Sequence, residues 1–88
     1  AQKDKLLRIT IPEDMDYGEC FEDIFQSYTA SHELERVKTT NLGMMFELVY
    51  TIRLKDAKKE KEMIDSIRVR NGNLQIICGK IPAEDERL

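Results

Sequence analysis

The sequence predicts an α+β fold, ferredoxin-like and of the form βαββαβ, from the order of its hydrophobic rhythms. Apolar residues alternate with period 2 over 5–11, and the runs 33–39, 45–54 and 73–78 also read as strands. Apolar residues recur with the helical period over 17–28 and 57–67. A strand–helix–strand unit therefore occurs twice. In this plan the four strands form one antiparallel sheet in the order 4-1-3-2, with both helices on one face. The 88 residues suffice for a single domain.

In the first strand Leu7, Ile9 and Ile11 point one way, and Leu6, Arg8 and Thr10 the other. Pro12 has no N–H to donate and ends it. The loop that follows is acidic, and Asp14 or Asp16 is expected to cap the first helix. Tyr17, Cys20, Phe21, Ile24, Phe25 and Tyr28 form that helix's core stripe. Ser27, Thr29 and Ser31 weaken its end, because their hydroxyls compete for the backbone. His32 is expected in the connection.

The second strand carries Glu33, Glu35, Arg36 and Lys38, charges that suit an exposed edge. Asn41 and Gly43 tolerate a positive φ in the hairpin turn. The third strand places Phe46, Leu48, Tyr50 and Ile52 on the helix side, with Glu47, Val49, Thr51 and Arg53 opposite. Asp56 is a good N-cap for the second helix, whose stripe is Ala57, Met63, Ile64 and Ile67. Lys58, Lys59, Lys61, Glu62 and Asp65 form its solvated side. Gly72 is the expected left-handed residue after it. The fourth strand has no charge from Asn73 to Gly79, unlike the second. Leu74, Gln75, Ile76 and Ile77 therefore mark an unguarded edge where a partner strand can add.

Chemistry is sparse. Fourteen basic residues against 17 acidic give a net charge of −3, which disfavours nucleic-acid binding. The aromatics of the third strand, Phe46 and Tyr50, face the helices and not the open sheet that an RNA-recognition module would need. An acylphosphatase would need a phosphate-binding Arg loop after the first strand, where Glu13, Asp14 and Asp16 stand instead. One histidine, His32, has no second His or Cys at ligand spacing, so no metal site and no cofactor are expected. The acidic loop reads as helix-dipole complementation before it reads as a cation site. Cys20 and Cys78 read as reduced, small buried hydrophobes, and a Cys20–His32 dyad is disfavoured by Cys20's place on a core stripe. Without a nucleophile–base pair or metal cluster, no enzyme is expected. The loop with Asp14, Asp16 and Gly18 is where an ACT-like domain would take a small molecule, which leaves a sensing role as the alternative. No segment approaches the roughly 20 apolar residues that span a bilayer.

The stretches Thr39-Thr-Asn-Leu-Gly43, Phe46-Glu-Leu-Val-Tyr50, Lys61-Glu-Met-Ile-Asp65 and Arg68-Val-Arg-Asn-Gly-Asn-Leu74 carry a resemblance. The chain resembles the C-terminal soluble domain of a bacterial membrane-protein family of unknown function, one often associated with polyphosphate-polymerase-like proteins. Its general plan is similar to the C-terminal ACT-like domains of MgtC/SapB-type membrane proteins. The resemblance covers about 6–79, through turn and helix-end motifs that carry no catalytic residue. It implies a fragment whose transmembrane part lies elsewhere in a parent chain. The missing initiator Met agrees with that expectation; separately, the polar stretch 83–88 is expected to fray. The domain would then lie on the cytoplasmic side of the inner membrane. It would regulate or assemble its parent by homodimerising, or by binding a partner, through the fourth-strand edge or the open sheet face around Arg8, Glu47, Thr51 and Gln75.

Overall fold

Leu7, Ile9 and Ile11 are completely buried along one face of the first strand, β1 (Asp4–Pro12). The computed structural model describes residues 4–40 and 42–81. Expectations about Asn41 in the hairpin and about the 83–88 tail lie outside them. After β1 come α1 (Glu22–Tyr28), β2 (Thr29–Thr40), β3 (Met45–Leu54), a single 3-10 turn (Ala57–Lys59), α2 (Glu60–Arg70) and β4 (Ile76–Lys80). The strands form one antiparallel sheet in the order β2-β3-β1-β4. Counted from β2 this is 2-3-1-4, whereas the expected 4-1-3-2 counts from the other edge. The neighbours are the same in either direction: β1 and β3 are central, and β2 and β4 are edges.

Register follows from burial. Leu7 lies opposite Tyr50, Ile9 opposite Leu48 and Ile11 opposite Phe46, so one face collects the apolar set of both central strands. A one-residue slip would turn that whole set toward solvent. Phe21, Ile24 and Phe25 from the first helical region, with Met63 and Ile67 from α2, close over that face in one core. Each such buried side chain contributes roughly 1.5–3 kcal/mol, which is why both helices lie on that face. Tyr50 packs against Phe25 with ring centroids 4.7 Å apart, and burial pushes its hydroxyl up to about 12.

Five expectations are corrected. The first helix starts at Glu22 and not at Tyr17. Residues 17–21 form turns, in which Asp16 Oδ1 accepts the Gly18 N–H at 3.0 Å, so neither Asp14 nor Asp16 caps α1. β2 begins at Thr29, directly after α1, because the Thr29 hydroxyl donates to the Phe25 carbonyl at 2.7 Å and its extended backbone ends the helix. His32 therefore lies within β2 and not in a connection; its ring stacks on Phe25 at 4.9 Å. β4 begins at Ile76 and not at Asn73. Both Gly72 (φ 72°) and Asn73 (φ 65°) are left-handed, and the Asn73 N–H returns to the Arg68 carbonyl at 3.1 Å, a helix-end motif that no strand can include.

One capping expectation is shifted and one holds. Asp56 Oδ1 accepts the Lys58 N–H at 3.0 Å and so caps the 3-10 turn, whereas α2 itself begins after Lys59 without a side-chain cap. Gly72 takes the left-handed position after α2.

Candidate interaction edge and first loop

The outer edge of β4 is the most distinctive surface, and the backbone pattern defines it. The Thr10 N–H donates to the Gln75 carbonyl at 3.0 Å, so Thr10 and Gln75 form a hydrogen-bonded pair. In an antiparallel ladder such pairs alternate with non-bonded ones. Ile77 and Gly79 then turn their backbone groups toward β1, and Ile76, Cys78 and Lys80 turn theirs outward. Among the described residues, no strand pairs with that outward row.

Side chains alternate in the same way. Ile76 and Cys78 lie opposite Ile9 and Leu7 and pack against the core. Ile77 and Gly79 lie on the open face, opposite Arg8 and Leu6. Ile77 is 46% exposed, and a Cβ placed on Gly79 would meet nothing within 4 Å. The edge thus has an apolar side chain and an empty space two residues apart on one face. Of the expected interface residues, Ile76 and Ile77 are in β4. Leu74 and Gln75 precede it, though Gln75 is held to β1 by its carbonyl.

The open face beyond the edge is mixed in charge. Arg8 lies opposite Val49 and Val49 opposite Arg36, and Val49 is buried although it faces away from the helices. Long Arg stems cover apolar surface in this way while their guanidinium groups stay wet. Glu47 meets Lys38 at 3.8 Å, and Arg53 donates to Asp4 at 2.9 Å.

The expected ligand loop is open to solvent. Asp14, Asp16 and Gly18 are all exposed. Asp16 spends one oxygen on Gly18. Tyr17 leaves the loop to pack edge-on against Phe46, 5.6 Å between centroids. Among the described residues, no cluster of His, Cys, Asp and Glu is arranged to hold a metal ion.

Neither thiol is poised for nucleophilic work. Burial pushes both Cys20 and Cys78 up to about 11, so both stay protonated at neutral pH. The His32 Nε2 is engaged elsewhere, donating to Glu22 Oε2 at 3.2 Å. Near Cys78, Lys5 donates to Glu60 at 2.5 Å, and this bond raises the Lys5 pKa.

Two residues that the sequence marks only as helix-end features, Arg70 and Asn71, shape the other end of α2. Asn71 is fully buried, and its Nδ2 donates to the Thr10 carbonyl at 2.8 Å and the Leu74 carbonyl at 3.2 Å. Arg70 spans to α1, where it donates to the Asp23 carboxylate. No helix among the described residues is long and apolar enough to cross a membrane. No family model matches the chain, and no curated protein or solved structure matches it.

Proposed function

We propose that this chain is a non-enzymatic assembly or regulatory domain, ferredoxin-like in plan, that acts by pairing its β4 edge with another strand. One observation carries the reading: β4 is an edge strand with an outward row of backbone groups and no charged side chain from Ile76 to Gly79. Edges of this kind are usually blunted by charge, as β2 is by Glu33, Glu35, Arg36 and Lys38. An edge left without such protection suits strand addition, in which backbone hydrogen bonds supply affinity. The resemblance to soluble domains of bacterial membrane proteins extends the proposal. In that setting the domain sits on the cytoplasmic side of the inner membrane and couples copies of its parent chain, or couples the parent to a partner.

Ile76→Pro tests this reading. The Ile76 N–H points outward, so proline there removes a donor from the edge and none from the β1 ladder. The expected result is loss of self-association by light scattering, with the circular dichroism of the native fold retained. A folded variant that associates as the native protein does would overturn the edge-pairing reading. The alternative, an ACT-like sensor using the loop of Asp14, Asp16 and Gly18, predicts a thermal shift with amino acids, nucleotides or polyphosphate.

A further inference from the structure

We infer that β4 is a self-complementary edge: two copies of this chain pair through it antiparallel about Cys78, each Ile77 seated over the other copy's Gly79. The inference rests on the assembly reading and adds the partner and the register.

The register follows from parity. Outward backbone groups belong to Ile76, Cys78 and Lys80. In a two-fold antiparallel pair, an outward residue must face an outward residue for each to donate and accept. Centring the pair on Cys78 is the one arrangement that uses all three: Ile76 faces Lys80, Cys78 faces Cys78, and Lys80 faces Ile76. Centring on Ile76 or Lys80 leaves most of the row unpaired.

That register then fixes the side chains. Ile77 falls opposite Gly79 in a non-hydrogen-bonded pair, the kind in which opposing side chains come closest. Ile77 is the exposed apolar residue of the strand, and Gly79 has open space above it. The two-fold makes this contact twice, as an isologous interface requires. No like charges meet, since Lys80, the strand's one charge, faces Ile76. On the helix side the two Cys78 residues stand about 5.5 Å apart between Cα atoms, within disulfide range.

Two experiments test the register on the 88-residue chain. In a Cys20→Ser background, oxidation with copper–phenanthroline is expected to give a covalent dimer through Cys78, and Cys78→Ser to abolish it. In the second, Ile77→Lys with Gly79→Lys sets Lys against Lys across the two-fold and is expected to leave a folded monomer by sedimentation. Ile77→Glu with Gly79→Lys sets Glu against Lys and is expected to keep the dimer. A dimer that forms no Cys78 cross-link, or that treats both charge pairs alike, overturns this register and leaves the assembly reading standing. A protein that stays monomeric throughout overturns both.

Discussion

Arg70, the last residue of α2, holds the carboxylate of Asp23 in the first turn of α1 with both terminal nitrogens, at 2.5 and 2.6 Å. Its Nη1 also donates to the Cys20 carbonyl at 3.0 Å. At the other end of the antiparallel helix pair, the Tyr28 hydroxyl donates to Glu62 at 2.6 Å. The short α1 is thus tied to α2 at both ends.

The Arg70 hydrogen bonds hold Asp23 down at about 2, below its ordinary 3.8. A carboxyl depressed on folding stabilises the fold fully above its unfolded value, and that contribution is lost as pH falls through the folded value. The window is therefore between 3.8 and about 2. Arg70→Gln is expected to lower the urea midpoint near neutral pH, with the gap to the native protein closing as pH falls to about 2. Carbon-detected NMR titration should move Asp23 back toward the ordinary carboxylate range in the variant. An Asp23 that titrates alike in both proteins would show that the pair is not formed in solution.

Asn71 joins α2 to both the end of β1 and the entry to β4. Asn71→Ala leaves the partly buried Thr10 and Leu74 carbonyls without this donor, at an expected cost of about 1–3 kcal/mol in urea unfolding. Asn71→Asp keeps the shape but loses the donor and buries a charge, so it is expected to cost more. Equal stability of Asn71→Ala and the native protein would remove Asn71 from this role.

Two left-handed residues should respond with opposite signs. Gly72 has φ 72°, so Gly72→Ala adds a Cβ where it is penalised and is expected to cost about 1–2 kcal/mol. Leu42 has φ 60° and its side chain is wholly exposed, so it bears that penalty without burial in return. Leu42→Asn is expected to raise stability, by up to roughly 1 kcal/mol, because Asn tolerates this conformation. Thermal unfolding of both variants decides the pair of signs.

The elements that could be read from sequence are those whose burial follows one simple period. β3 has the bounds expected because Phe46, Leu48, Tyr50 and Ile52 alternate without interruption. The start of α1 was misread because Tyr17, Cys20 and Phe21 keep helical spacing while lying in turns; Asp16 followed by Gly18 was the overlooked turn signal. The first residues of β2 carry no apolar alternation, since their inward positions are filled by Thr29 and His32. At the edge, the lack of charge was legible, and with it Ile76 and Ile77. Gly79 was not singled out, because its meaning depends on which face it shares with Ile77 and on the backbone parity of β4.

Pairing of β4 with β4 of a second copy would make the mass depend on concentration, which sedimentation velocity across a rising concentration series measures. Edge pairing predicts a mass that climbs from 10.3 kDa, levels at twice that value, and stays at 10.3 kDa in Ile76→Pro. A native protein that remains at 10.3 kDa at every concentration would contradict it.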